Sequence, residues 1–135
     1  MKNNIMKKWV KALRSGQFKQ GIGTLKQFNS DGQAQYCCLG VLCELYNEEM
    51  KKNHKKALVE KVCDDDSYFF KYRYTRFDGM SVGLPEDVKT WSGISTSCGR
   101  FYGDNNPLIP LDDLNDTGAE FVTISDIIEK NWENL

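Results

Sequence analysis

The sequence predicts an α+β fold, a single compact domain over residues 1–135 in which a small antiparallel β-sheet packs against three or four helices. Three observations carry this reading. Apolar residues recur at helical spacing near both ends, at Ile5, Trp9, Val10 and Leu13 and again at Ile124, Ile127 and Ile128. Two β-prone runs, 21–28 and 33–37, flank the turn-forming tetrapeptide Asn29-Ser30-Asp31-Gly32. The run 67–77 alternates aromatic with basic residues, as a half-buried strand does. With 135 residues, 40% of them hydrophobic and 27% charged, the chain has enough apolar surface for one core and enough charge to cover it.

Each element follows from its own residues. The first helix sets Lys7, Lys8 and Lys11 opposite its apolar stripe, a face that is solvated or meets an anion, and it stops at Ser15-Gly16. After the hairpin, the run Cys37-Cys38-Leu39-Gly40-Val41-Leu42-Cys43-Glu44-Leu45-Tyr46 is too hydrophobic for a surface and predicts a buried helix entered directly from the second strand. Residues 47–61 are charged and extend that helix or form a loop and a second helix. In the strand at 67–77, Phe70, Tyr72 and Tyr74 form an apolar face and Lys71 and Arg73 a basic one, with the turn at Asp78-Gly79. Leu84-Pro85-Glu86-Asp87 opens a short helix with Val88 and Trp91 as its apolar contacts, because proline and acids suit a helix start. Residues 92–103, rich in Ser and Gly, predict a loop. The last helix is expected to begin at Thr123, whose hydroxyl would cap it, and to bury Ile124, Ile127, Ile128 and Trp132.

Charge is laid out unevenly along this chain of net charge −1. Residues 1–28 carry seven Lys or Arg and no acid, whereas residues 104–135 carry eight acids and one Lys. Such polarity makes a local anion site, packs the two ends side by side, or joins two copies through opposite faces. No apolar run approaches the ~20 residues that span a bilayer, and residues 1–9 lack the apolar stretch of a signal peptide, so no membrane association and a cytoplasmic location are expected. Five irregularly spaced cysteines agree, predicting reduced thiols rather than a disulfide framework.

No complete catalytic site is legible. Cys37 or Cys38 at a helix N-terminus is placed like the nucleophile of a cysteine hydrolase, but the one histidine, His54, lies in the charged run Lys51-Lys52-Asn53-His54-Lys55-Lys56 and nothing orients it as a base. Cys38, Cys43, Cys63 and Cys98 lack zinc-knuckle spacing, so no metal is called for there. Asp113, Asn115, Thr117 and Gly118 imitate the start of an EF-hand loop, yet Ile124 stands where the bidentate carboxylate belongs; a capped turn between two short helices is the simpler reading. The segment 111–129 has the spacing of a helix-turn-helix but no recognition helix follows, and its acids would repel phosphates, which argues against DNA. No cofactor motif is present. Residues 14–23 do gather Arg14, Gln17, Lys19 and Gln20 around three glycines, where donors could converge on a phosphate or carboxylate.

Four segments, Trp9–Leu25, Tyr36–Leu45, Leu84–Trp91 and Leu114–Gly118 followed by Phe121 and Ile124, together resemble a family of small tailed-phage and prophage proteins. The resemblance runs through most of the chain in the same order, leaves 47–83 unmatched, and brings no activity with it. It implies an accessory role in the cytoplasm of an infected host cell: sequestering a small anionic, nucleotide-type signal of host defence, without catalysis. Phage proteins of that kind are compact and usually oligomeric, which implies a homo-oligomer. The pocket expected on this basis takes Arg14, Lys19 and Gln20 for phosphates, Tyr36 for stacking, and Asn115 and Asp116 for ribose or base groups. The rivals are a cysteine-dependent hydrolase acting on a nucleotide or peptide, and an inhibitor that binds a host protein through the aromatic strand 68–77.

Overall fold

A computed structural model describes residues 1–66, 72–103 and 107–135, and it has the α+β architecture. Helix α1 (Asn3–Arg14) buries Ile5, Met6, Trp9, Val10, Ala12 and Leu13 along one stripe. Trp9 is fully buried, and its indole N–H donates to the Cys38 carbonyl at 2.9 Å, so the polar end of the ring is also satisfied. The helix ends where Gly16 turns to φ +76°. The hairpin follows as β1 (Lys26–Phe28) and β2 (Ala34–Tyr36), closed by Asn29, whose side-chain oxygen accepts from the amides of Asp31 and Gln33. Its first strand is shorter than expected. The Leu25 amide donates to the Ser81 carbonyl and the Gly21 amide to the Tyr36 carbonyl, which holds residues 21–25 outside the ladder.

One residue separates β2 from helix α2 (Cys38–Lys52), and that residue, Cys37, caps it by accepting from the Gly40 amide at 3.4 Å. Gly40 is where α2 crosses the backbone of Leu25 in direct contact. The helix carries its charged end out to Lys52, and His54 takes φ +54° to leave it. No second helix forms from residues 53–61. Instead Glu60–Asp65 form β3, which pairs along its length with β4 (Tyr72–Phe77). The four strands make one antiparallel sheet in the order β2-β1-β4-β3. β4 ends in the turn expected at Asp78 and Gly79, but the core face of the strand is not the tyrosine face. Thr75 and Phe77, in register with Val62 and Glu60, are the buried residues, while Tyr72, Tyr74 and Arg76 point to the opposite side. The outer face is held by rings rather than by a helix: Tyr72 stacks on Tyr74 at 5.5 Å and the Arg76 guanidinium lies 5.8 Å from the Tyr74 centroid. The expected strand residues Ser67 to Lys71 lie outside the described residues.

Helix α3 (Glu86–Ser92) starts after Pro85 as predicted and stops at Gly93. The stretch expected to be a loop contains β5 (Arg100–Tyr102), which pairs with β6 (Leu108–Pro110) as a separate two-stranded ribbon. Helices α4 (Leu111–Asp116) and α5 (Phe121–Asn131) close the fold, with a single 3₁₀ turn after them. α5 begins two residues earlier than Thr123, and no side chain of its own caps it; the cap comes from Gln20, whose side-chain oxygen accepts from the Phe121 amide at 3.1 Å. Ile124 and Ile128 are fully buried, Ile127 and Trp132 half-buried against the same core.

The uneven charge is explained by this packing. Basic α1 lies against acidic α5, and Arg14 bonds Ser125 at 2.9 Å, Asp126 at 2.6 Å and Glu129 at 2.8 Å. The two ends of the chain therefore neutralise one another along part of their length. No helix among the described residues is long and apolar enough to cross a membrane.

Candidate functional site

The six residues expected to form a ligand pocket divide into a cluster and three outliers. Gln20, Asn115 and Asp116 meet. Asn115 is fully buried and uses every polar valence inside the fold: its oxygen accepts from the Cys38 amide at 3.2 Å and from Gln20 Nε2 at 3.0 Å, and its amino group donates to the Gly21 carbonyl at 2.8 Å and to Asp116 at 3.2 Å. Gln20 donates its second hydrogen to the Ala119 carbonyl at 2.8 Å, and Asp116 accepts from the Gly23 amide at 3.0 Å. This node ties the 20–23 loop, the start of α2 and the α4–α5 corner together. It gives Gln20 and Asn115 a structural role, with no donor left over for a ligand.

The other three stand apart from the node. Arg14 is engaged by Ser125, Asp126 and Glu129, and those contacts, led by the Glu129 hydrogen bond, hold its pKa above the ordinary arginine value. Lys19 is exposed, 3.4 Å from the side-chain oxygen of Gln33. Tyr36 packs edge-on against Phe18 at 5.3 Å with the Lys26 ammonium 5.6 Å from its ring, and burial raises its phenol pKa. That ammonium is itself held between Glu44 at 3.0 Å and Glu60 at 3.2 Å. Burial is the largest single influence and opposes its charge, but the Glu44 hydrogen bond and the charges of Glu44, Tyr36 and Glu60 together outweigh it and keep the lysine firmly protonated.

Sequence reasoning placed the thiols correctly at the start of a helix, but the geometry does not make them nucleophiles. Cys37, Cys38 and Cys43 are buried, and burial pushes Cys37 up to about 12 and the other two well above the usual thiol value. The Cys38 thiol donates to the Leu111 carbonyl at 3.5 Å, a bond that requires its proton. Two consequences are measurable. Titration of the folded protein with a disulfide reagent at pH 8 should modify Cys63 and Cys98, both partly exposed, while the three buried thiols react only on unfolding. The raised Cys37 pKa also contributes stability that is complete below about 9 and is lost as pH climbs toward 12, since the unfolded chain ionises in that window and the folded one does not. Five thiols reacting at once in folded protein would contradict both.

A concave surface with free lysines among the described residues lies on α1. Between α1 and α2 runs a groove of about 540 Å³ with Ala12 and Leu45 on its floor and Lys8, Lys11, Lys52 and Glu48 on its walls. Lys8 is paired with Glu49 at 2.7 Å, while Lys11 and Lys52 make no ion pair among the described residues. The Ser15 and Gln17 end of the groove adds polar groups. This lysine face was legible in the sequence as the basic side of the first helix. What pairs it with Lys52 and Glu48 is the packing of α1 on α2, which brings together residues about 40 apart in the chain. A second hollow of about 450 Å³, between the β5–β6 ribbon and α5, is mostly apolar, lined by Phe101, Ile109, Leu114 and Ile127 with Lys130 and Asp126 of opposite charge.

A family model described as Domain of unknown function (DUF8296) matches residues 1–132, so the chain belongs to that family. No curated protein and no solved structure matches it.

Proposed function

We propose that this member of the DUF8296 family binds a small anionic, nucleotide-type molecule in the α1–α2 groove and holds it without chemical change. The observation that carries the proposal is the groove itself: its volume of about 540 Å³ is that of a small-molecule site, Ala12 and Leu45 give it an apolar surface, and it is lined by two ammonium groups, Lys11 and Lys52, and a carboxylate, Glu48, that make no ion pair among the described residues. Lysines bind phosphate as point charges, an apolar floor accepts a base, and a carboxylate accepts hydrogen bonds from ribose hydroxyls or an exocyclic amine. Buried, protonated thiols argue against turnover. Taken with the resemblance to tailed-phage and prophage proteins, the role this supports is sequestration of a nucleotide signal of host defence in the host cytoplasm.

The test is thermal unfolding against mononucleotides, cyclic dinucleotides and ADP-ribose derivatives, followed by chromatography of ligand released from the denatured complex. A ligand at ~100 times its Kd stabilises the folded state by about 2.7 kcal/mol, a shift on the order of 10 °C for a domain of this size. Stabilisation with the ligand recovered intact is the expected result. Recovery of a converted product would make the protein an enzyme, and no shift across the panel would leave the α1–α2 groove without its ligand. In that last case the outer sheet face is the second reading: the stacked Tyr72 and Tyr74 with Arg76 are the residue types that dominate protein interfaces, and they suit an inhibitor of a host protein.

A further inference from the structure

Helix α1 has a groove on each side of it, not one. On the side facing α5 lies a hollow of about 510 Å³ lined by Lys7, Val10, Lys11, Arg14, Ser15 and Glu129. Lys11 and Ser15, one helical turn apart, line both this hollow and the α1–α2 groove, so the two meet over a crest formed by those side chains. Arg14 and Glu129 are occupied by one another in the α5-side hollow. Of the cations lining the two grooves, those that make no ion pair among the described residues are therefore Lys7 on one flank, Lys11 on the crest and Lys52 on the other flank.

We propose that the ligand carries two separated phosphate groups and straddles α1, with one phosphate in each groove and Lys11 between them. This rests on the binding function proposed above and adds the class of ligand. A single phosphate reaches Lys11 together with Lys52 or with Lys7, because the crest stands between the flanks. Two phosphates held apart by sugars engage all three. The apolar floor of Ala12 and Leu45 occurs on the α2 side, and Val10 lines the α5 side, so each groove also presents a surface on which a base can rest. Lys11 and Lys52 also lie in the last turns of α1 and α2, where cations complement the helix dipoles.

The experiment is isothermal titration of the full chain with AMP and with cyclic di-AMP. Both carry close to two negative charges at neutral pH, so a difference between them reports the separation of the phosphates and not the total charge. Cyclic di-AMP is expected to bind at least about tenfold more tightly, and Lys7→Gln, an exposed change outside the α1–α2 groove, should collapse that ratio to about one. Equal affinities in the wild type, or a ratio that survives Lys7→Gln, would overturn the straddling ligand while leaving a single-groove binding site in place. Absence of binding by both, with a negative panel of mononucleotides and ADP-ribose derivatives, would overturn the binding function itself.

Discussion

Replacing Gly40 with alanine is expected to leave no folded protein. Helix α2 crosses the chain at Leu25 so closely that a Cβ built on Gly40 falls 1.7 Å from the Leu25 carbonyl oxygen and 2.6 Å from its carbon. These are backbone atoms, and they cannot swing aside as a side chain could. The Leu25 amide is bonded to the Ser81 carbonyl at 2.8 Å and its side chain is fully buried, so the segment is fixed from both sides. Separating helix from strand would open the middle of the core, at a cost of about 5 kcal/mol or more, comparable with the whole stability of a small domain. Far-UV circular dichroism and urea unfolding measure this directly. Gly103→Ala is the control, since there the nearest atom is the far end of the Ile109 side chain at 3.3 Å and the expected cost is below about 1 kcal/mol. A Gly40→Ala protein with a cooperative transition near that of the wild type would contradict the packing described.

The second large effect is expected at Asn115. Asn115→Ala removes four hydrogen bonds at once and strands the buried Cys38 amide and the Gly21 carbonyl. Unsatisfied buried groups cost roughly 1–3 kcal/mol each, so the loss should be about 4 kcal/mol, seen as a fall in Tm of roughly 15 °C. Asn115→Asp separates donor from acceptor function. It keeps the oxygens that accept from Cys38 and Gln20, removes the donors to Gly21 and Asp116, and sets a buried carboxylate beside Asp116. It should therefore be at least as damaging as alanine at neutral pH and recover part of the loss in acid. If Asn115 instead contacted a ligand and not the fold, Asn115→Ala would leave Tm of the free protein unchanged.

These two positions also mark where the sequence could be read and where it could not. Helices α1, α2 and the last helix were legible because their apolar residues recur at the spacing of a buried face, and the hairpin because Asn29 and Gly32 are the residues its turn demands. Strand β3 was not legible. Glu60–Asp65 is charged and largely exposed, an edge strand paired with β4, and an edge that needs no apolar alternation gives no such signal. The tyrosine alternation in β4 was real but pointed to the wrong face, since burial of that strand is decided by Thr75 and Phe77 against the layer below. Gln20 and Asn115 stood out as polar residues with work to do, and they do lie together. Their partners are 77 to 101 residues away in sequence, however, so nothing local revealed that they satisfy each other and a distant helix start. Conversely, the α1 lysine face was visible from its spacing alone, but the groove it walls exists because of α2.

The most direct test of where an anion binds is the ligand-induced rise in Tm compared between the wild type and the double variant Lys11→Gln/Lys52→Gln. Both side chains are exposed and make no ion pair among the described residues, so the free variant should unfold within a few degrees of the wild type. The predicted result is that the rise produced by cyclic di-AMP in the wild type disappears in the variant at the same concentration. An undiminished rise would place the ligand away from the α1–α2 groove and contradict the site proposed here.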